Sequence, residues 1–569
     1  MIIAGIHNTG ITSSAAIVVD GKVVYGSTED RLNRQKYSKY FPHRAIEAGL
    51  GHIGAELKDV DAFAIAWNPA INIGSRYRAG FSEWPAHPGE RFYSNANHLL
   101  PRLGLDGYTA TDQVFHRADG LETRIVHVTH HLAHCAGAYF TSGYENAAIL
   151  SCDRYGERAT TVWAEAKVGD IRILRELSFP HSIGQLYSTI TQYLGFRPDM
   201  DEWKVMGASA YGDTNRYYDA IKKLIRFDDR AELQLDLRYF QHFDFDARDM
   251  FSPLLAETLG PPRQPHQPLD QRHFDLCAAL QRVTEEYLFA AISWLRAETG
   301  AANLCLSGGV FMNAVANGKI ATSGLFDTVH IPFAPDDSGN SIGAALWLAN
   351  REGEPVVPPK TSVSPFLGPA FDDTDIRHVL EGYKITFEEP DDITAATAQL
   401  IDDGQIVGWF QGHMEFGQRA LGARSILADP RRADMKERIN SAVKFRESFR
   451  PFAPAVLAEY AADYFEGAGS IQVSYMEKVL MIREDRRATI PAVVHEDGSG
   501  RVQTVDAEMT PLFHQLISRF HDRTGVPVLL NTSFNLNEEP IVCTPSDAVR
   551  TFYASGMDAL AIGRFLVRK

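Results

Sequence analysis

Ile2-Ile-Ala-Gly-Ile6, then Ala15-Ala-Ile-Val-Val19, then Asp20-Gly21-Lys-Val-Val-Tyr25 read as three strands in succession. Asp-Gly is a strong two-residue hairpin turn, so Lys22 to Tyr25 begins a return strand. The pattern recurs at Ala147-Ala-Ile-Leu-Ser-Cys-Asp153, at Thr160-Thr-Val-Trp-Ala164 and, past a Gly169-Asp170 turn, at Ile171 to Leu174. Two copies of strand, turn, strand, turn, strand, separated by helical sequence, point to a duplicated α/β core. Two unrelated β-meanders would give the same local pattern.

Outward from these copies, the 569 residues are too many for one hydrophobic core, and two or more domains are expected. Gly260 to Pro268 reads as a loop before a long helix over about 274–297. Residues 352–369 carry five prolines and form the best interdomain linker, giving domains over 1–355 and 370–569. The second alternates helices and strands as another α/β unit. Hydrophobic residues at 45% and charged residues at 22% are the balance of a soluble globular protein. A formal net charge of −16 argues against a broad nucleic-acid-binding face. The cysteines, at 135, 152, 277, 305 and 543, sit mostly in apolar runs and predict buried free thiols in a reducing compartment. No secretory signal follows Met1, and no apolar run approaches membrane-spanning length. The expected location is the cytoplasm, with neither membrane nor nucleic acid as partner.

The sharpest local feature of the first half is Val128-Thr-His130-His131-Leu-Ala-His134-Cys-Ala-Gly-Ala-Tyr139. In a helix, His130 and His134 share one face and can converge on a metal ion. Alone, such a pair reads as readily as surface or capping histidines. Asp153, at the end of an apolar strand, and Asp337, in the turn Pro335-Asp-Asp337-Ser-Gly339, would complete a mixed N/O set suited to Fe(II), Mn or Zn. Capping and turn roles remain open for both aspartates. Ser307-Gly308-Gly309-Val310-Phe-Met-Asn313 follows a strand and precedes a helix, where glycines let backbone amides approach phosphate. Asp201-Glu-Trp-Lys204-Val-Met-Gly207 offers Lys204 as a nucleotide contact or as a surface lysine.

The second half is denser. Gly412-His413-Met-Glu415-Phe-Gly417-Gln418-Arg419-Ala-Leu-Gly422-Ala423-Arg424 and Lys444-Phe-Arg446-Glu-Ser-Phe-Arg450-Pro place five cations among glycines and apolar anchors. Arginine forks match phosphate and carboxylate oxygens, and a lysine adds a point charge. A solvated basic surface fits poorly with Leu, Phe and Pro as neighbours. Arg501 adds a cation on a strand, and Val528-Leu-Leu-Asn531-Thr532-Ser533-Phe-Asn535 ends a strand in small polar groups suited to a small planar ligand, or in an ordinary turn.

The duplicated opening resembles the actin/hexokinase/Hsp70-type ATPase fold. As an ordered series, HHLAH at 130–134, DEWKVMG at 201–207, GGVFMN at 308–313, ALGARSILADPRRADMK at 420–436, FRPFAP at 449–454, RVQTV at 501–505 and LLNTSFN at 529–535 resemble the antibiotic and nodulation O-carbamoyltransferases over nearly the whole chain. The resemblance implies an N-terminal domain similar to the tRNA threonylcarbamoyl transferases, with an actin-like fold. It implies a C-terminal domain similar to YrdC, the threonylcarbamoyl-AMP synthase. Carried over, the metal ligands are His130, His134, Asp153 and Asp337, around iron. Carbamoyl phosphate and ATP, with Mg(II), would be held by Arg419, Lys444, Arg501 and Ser533, with Arg424, Arg446, Arg450, Asn531, Thr532 and Asn535 nearby. Lys204, Gly308, Gly309 and Asn313 would serve the nucleotide. Carbamoyl adenylate formed there would pass to the first domain for attack by a small-molecule alcohol, with Arg419 also counted among the catalytic groups. A homodimer is the oligomer that the resemblance suggests.

The chain departs from the family pattern at four places. Ile11-Thr12 stand where many members carry His-Asp, which leaves His7 as the natural general base, with His127 and His131 in reserve. His413, Gln418 and Ala423 replace the usual Arg, Pro and Asn and put the donor half in question. Residues 213–272 form an insertion that could line the acceptor site. Carbamoylation of an amine, or nucleotide and carbamoyl phosphate binding without transfer, are the alternative readings.

Overall fold

The computed structural model describes residues 1–10, 12–68, 110–116, 118, 120–244, 246–356, 363–444, 450, 452–471 and 473–569. The opening meander is β1 (Ile2–His7), β2 (Ser14–Val19) and β3 (Lys22–Thr28), antiparallel throughout. Asp20 and Gly21 both have positive φ, the backbone such a tight hairpin demands. β4 (Ala62–Ile65) and β6 (Glu122–Val128) add in parallel beyond β1, and β5 (Ala110–His116) closes the edge antiparallel to β6. The order is β3-β2-β1-β4-β6-β5.

The second copy repeats this plan. β7 (Asn146–Cys152), β8 (Ala159–Lys167) and β9 (Asp170–Ser178) form the meander. After a small ribbon of β10 (Ile225–Arg226) and β11 (Gln234–Leu235), β12 (Asn303–Ser307) and β13 (Thr328–His330) add in parallel beyond β7. The order β13-β12-β7-β8-β9 matches β6-β4-β1-β2-β3 strand for strand. This is the duplicated actin/hexokinase/Hsp70-type fold. One detail differs from the sequence reading: the second hairpin turns at Val168-Gly169, both with positive φ, one residue before the expected Gly169-Asp170. Val168 is 76% exposed, so its unfavourable backbone is not compounded by packing.

Between the two sheets lie two helices, His130–Phe140 and Asn340–Arg351. Every residue of the first is buried, and its sequence explains why it fits: Ala133, Ala136, Gly137 and Ala138 leave almost no side chain at the crossing. A Cβ on Gly343 would lie 1.9 Å from the Ala133 carbonyl oxygen, and one on Gly5 of β1 would lie 1.9 Å from that of Ser341. Sheet, helix and helix therefore meet backbone to backbone. The long helix Gln271–Thr299 begins where Asp270 accepts the His273 N–H and ends at left-handed Gly300, a little wider than the expected 274–297. It covers the second sheet, with Trp163 Nε1 donating to the Ala291 carbonyl at 3.2 Å.

The C-terminal sequence builds a seven-stranded mixed sheet, β19-β16-β20-β15-β14-β21-β22. Its strands are β14 (Val407–Phe410), β15 (Arg424–Ala428), β16 (Ala453–Leu457), β19 (Gln503–Val505), β20 (Val528–Ser533), β21 (Ala559–Ile562) and β22 (Phe565–Arg568). β17 (Val479–Met481) and β18 (Ser499–Arg501) pair separately. This unit leans on the N-terminal half through polar and close contacts. Arg31 donates to the Gly417 carbonyl at 3.1 Å, Arg34 to the Ile541 carbonyl at 2.7 Å, and Asn317 to the Glu477 carbonyl at 2.8 Å. All five cysteines are buried and unpaired. Among the described residues, no helix is long and apolar enough to cross a membrane.

The helix crossing is testable against a neutral glycine. Gly343→Ala is expected to cost about 1–3 kcal/mol by overpacking and to lower the melting midpoint. Gly51→Ala, in helix His43–His52 with nothing within 4 Å of the added methyl, should hold or raise it by up to about 1 kcal/mol. Equal midpoints in differential scanning calorimetry would show that the crossing is not tight.

Candidate functional site

The duplicated topology points the carboxyl ends of β1 and β7 at one another, and this is where open α/β sheets hold ligands. β1 ends in His7 and β7 runs into Asp153. The helix His130–Phe140 brings His130 and His134, one turn apart, to the same point. Its first N–H groups have no side-chain cap of their own. The buried Glu157 carboxylate supplies one instead, accepting the His130 N–H at 3.0 Å and the Asn68 N–H at 2.6 Å. Asp337 arrives from the turn before helix Asn340–Arg351.

These four residues converge. His134 Nε2 lies 3.0 Å from Asp153 Oδ2 and 3.4 Å from Asp337 Oδ1, and His130 Nε2 lies 3.6 and 3.4 Å from the same two atoms. The two imidazole Nε2 atoms are 3.1 Å apart. Metal–ligand bonds of about 2.0–2.2 Å would separate neighbouring ligand atoms by about 3.0–3.5 Å, close to the 3.0–3.6 Å found here, and all four donor atoms lie within 4.8 Å of one another. The second nitrogens are also held. His134 Nδ1 meets Ser307 Oγ at 3.2 Å, and His130 Nδ1 meets the Asn340 amide at 3.4 Å. Asn340 Oδ1 is a buried atom without a partner. Turning that amide satisfies it and leaves Nε2 of His130 free to ligate. Two imidazoles and two carboxylates suit a divalent transition metal.

The charges fit a cation as well. Burial alone would raise the Asp153 carboxyl, and Asp337 beside it adds to that, but bonds to His130 and His134 hold it down to about 2. Burial likewise opposes the charged form of His130, yet the Asp337 and Asp153 carboxylates raise its pKa well above the ordinary imidazole value. The protonated ring balances two acids that a divalent ion could balance instead.

A cleft of about 480 Å³ opens from this cluster. His130, Asp153, Asp337, Gly309 and Asn313 line one part, and Arg419, Lys444, Arg450, Arg501, Asn531, Thr532, Ser533 and Asn535 line another. Residues 82 (Asp337 to Arg419) to 405 (His130 to Asn535) positions apart in sequence thus share one cavity, within the usual size range of small-molecule sites. Lys444 Nζ donates to the Ser533 carbonyl at 2.6 Å and to Asn535 Oδ1 at 2.8 Å. Asn531 donates to the Ala420 carbonyl at 3.2 Å and so ties β20 to the arginine loop. That loop is fixed by Glu415, whose Oε1 accepts the N–H groups of Leu421, Ala423 and Arg424 at 2.7, 2.8 and 3.0 Å. Arg419, half-buried at its tip, has no carboxylate within ion-pair distance among the described residues. Burial pulls its guanidinium down to about 10, against the pull of Asp336. Such a cation gains from an anionic ligand.

Other expected residues stand elsewhere. Arg424 is fully buried over the Phe410 ring at 3.7 Å. Its guanidinium donates to the carbonyls of Gln411, Ala423, Pro369 and Gly412, and it does not line the cleft. It braces the Arg419 loop rather than meeting a ligand. Lys204 pairs with Asp201 at 3.2 Å behind the cleft wall. Gly308, with φ of +96°, lies where a Cβ would be 2.1 Å from the Cys152 carbonyl, so its role is close packing of β7 and β12. Asn313 lines the cleft while capping helix Ala314–Thr322. His131 is spoken for by Ser151 Oγ at 2.7 Å and the Ala159 carbonyl at 3.0 Å, and His127 by the Trp67 carbonyl at 3.0 Å. His7 Nε2 lies 3.6 Å from Asp337 and accepts the Gly10 N–H at 3.1 Å. Arg446 and Ile11 lie outside the described residues, and none of the described residues in 213–272 lines the cleft. Of the described replaced family positions, Thr12 and Gln418 line it, Gln418 donating to Asp336 at 3.0 Å, whereas His413 is exposed and bonds the Gly368 carbonyl. The sequence reading missed Arg31, Lys36, Tyr37 and Lys39, which line the cleft from the segment after β3. The run of cations between Arg31 and Lys39 was the available signal.

Comparison with known proteins is consistent with this two-sided site. The family models for the carbamoyltransferase N-terminus and the carbamoyltransferase C-terminus match residues 2–346 and 398–569. Nodulation protein NolNO of Sinorhizobium fredii is 36% identical over 570 residues, 99% of this chain and 80% of that one. Nodulation protein NolO of Bradyrhizobium diazoefficiens is 37% identical over 449 residues, 78% of this chain and 79% of that one. An uncharacterized protein of Synechocystis is 36% identical over 591 residues, 98% of this chain and 95% of the relative. With both halves of the family matched along most of its length, the chain belongs to the carbamoyltransferases and is an enzyme of that class.

Proposed function

We propose that the protein is an ATP-dependent O-carbamoyltransferase. In this reading residues 370–569 make carbamoyl adenylate from carbamoyl phosphate and ATP, and residues 1–355 transfer its carbamoyl group to the hydroxyl of a small molecule. The observation that carries the reading is the single cleft walled by both the His/Asp cluster and the Arg419–Lys444–Arg501 set.

Carbamate is a poor electrophile, and a mixed anhydride with AMP gives it a good leaving group. Loss of both phosphate and pyrophosphate balances only if one water enters: carbamoyl phosphate, ATP and water give carbamoyl adenylate, phosphate and pyrophosphate. Arg419, Lys444 and Arg501 would hold the phosphates in line, and the Ser533–Asn535 tip would take the planar carbamoyl group. In the second step the acceptor oxygen bonds the carbonyl carbon, the bond to the AMP oxygen breaks with its electron pair, and the hydroxyl proton leaves to a base. His7 is that base in our reading. Its Nε2 lies 3.6 Å from Asp337 just behind the cleft wall, and burial lowers its pKa to about 4, which leaves it neutral at pH 7. The Gly10 N–H that Nε2 accepts has to give way before that lone pair can take the proton. His130, His134, Asp153 and Asp337 would hold iron(II), which when bound supplies Lewis-acid stabilisation of negative oxygen. Water excluded from the cleft would spare the anhydride.

Three measurements test this. AMP and pyrophosphate release from ATP should depend on carbamoyl phosphate, and release unaffected by it would sink the donor assignment. Arg419→Ala should lower that rate by about 100- to 1,000-fold, the usual loss for a charge-stabilising donor, and a change under threefold would remove Arg419 from the site. His134→Ala should weaken metal binding by at least about 100-fold, read as bound metal per chain, while leaving carbamoyl-phosphate-dependent AMP release measurable. Full metal occupancy in that variant would refute the ligand set.

A further inference from the structure

Beside the main cleft lies a chamber of about 50 Å³, and the two share Met206, Gly207, Phe452 and Arg501 as wall. One water takes on the order of 10–15 Å³ of such free space, so the chamber suits a few waters or one tetrahedral oxyanion and excludes a nucleotide. Lys436 and Arg501 bring two cations to its lining, with His495 and Ser499 beside them. Its acids are Glu496, which is solvent-exposed, and Asp497, whose Oδ1 is engaged by the Ser499 hydroxyl and N–H.

The hydrogen bonds fix which nitrogen of His495 carries a proton. Ser499 has one hydroxyl hydrogen, and Asp497 Oδ1, a carboxylate oxygen, takes it at 2.6 Å. The 3.1 Å contact between His495 Nδ1 and Ser499 Oγ must then be donated by Nδ1. His495 Nε2 is left as a bare acceptor, a buried atom with no partner among the described residues. With Asp497 committed to Ser499 and Glu496 turned to solvent, two cations beside one bare acceptor suit an anion that still carries a hydrogen. Monohydrogen phosphate has one at neutral pH, and sulfate has none.

We propose that this chamber is a subsite for inorganic monohydrogen phosphate, with Lys436 and Arg501 taking its charged oxygens and His495 Nε2 accepting its P–OH hydrogen. Arg501 belongs to both cavities, so the phosphate freed from carbamoyl phosphate can leave the donor site without crossing the adenylate. This last point rests on the donor reading above, whereas the chamber's chemistry does not.

The test is calorimetric titration of the whole protein with inorganic phosphate and, separately, with sulfate and with carbamoyl phosphate. The variants are Lys436→Ala, Lys436→Arg and His495→Ala, each checked for an unchanged melting midpoint. Phosphate affinity should fall about tenfold or more in Lys436→Ala, the value of one charged hydrogen bond, and recover in Lys436→Arg. Wild-type protein should prefer phosphate to sulfate, and His495→Ala should lose the preference. Carbamoyl phosphate affinity should stay within about twofold throughout, since neither Lys436 nor His495 lines the donor cleft. Phosphate binding equal in all variants, or one-for-one displacement of phosphate by carbamoyl phosphate, would place the anion on Arg419 and Lys444 and overturn the proposal. Absent phosphate binding overturns it too. Should phosphate behave as expected while carbamoyl phosphate elicits no AMP, the donor reading fails and the subsite stands.

Discussion

Everything at the centre of this protein depends on two helices that touch without side chains between them. The Ala133–Gly137 stretch of one meets Gly343 of the other, and Ser341 of the second meets Gly5 of β1. Interiors are packed close enough that one added carbon at such a point displaces backbone. Because the crossing is this close, His130 and His134 come within 3.4 Å of Asp337, which arrives just ahead of the second helix. The convergence of four donor atoms follows from the absence of side-chain bulk more than from any attraction among the donors.

The C-terminal wall of the cleft is built on a different principle. There the fixed element is Glu415, whose carboxylate gathers three backbone N–H groups and holds the Arg419 loop in one shape. Arg424 completes the brace with four bonds to backbone carbonyls. Two buried charges of opposite sign are thus used on main-chain groups, and Arg419 has no carboxylate partner among the described residues. Preorganised charge of this kind costs nothing further when an anion arrives.

Much of the fold could be read from alternation and turns. The three-strand meander, its repeat near 147–178 and the helix after 270 each have a local cause, such as Asp20-Gly21 with two positive φ values or Asp270 as cap. The His/Asp set was visible as residue types at strand and helix ends. Less was legible where a role depends on which way a side chain turns. Arg419 and Arg424 look alike in sequence, yet one points to the cleft and the other is swallowed beneath Phe410. Arg31 to Lys39 reach the cleft through contacts of Arg31 with Gly417 and of Arg34 with Pro540, Ile541 and Asp547. Such contacts link residues hundreds of positions apart, and no local pattern announces them.

A crossing made of main chain alone also sets how the centre responds to heat. Side chains at an ordinary helix interface exchange rotamers and loosen by degrees, storing entropy as they do. Between Ala133 and Gly343 there are no rotamers to exchange, so the contact has a single arrangement or none. The spacing of the donor atoms should therefore stay constant over the working temperature range and be lost all at once, in the same event that parts the two sheets.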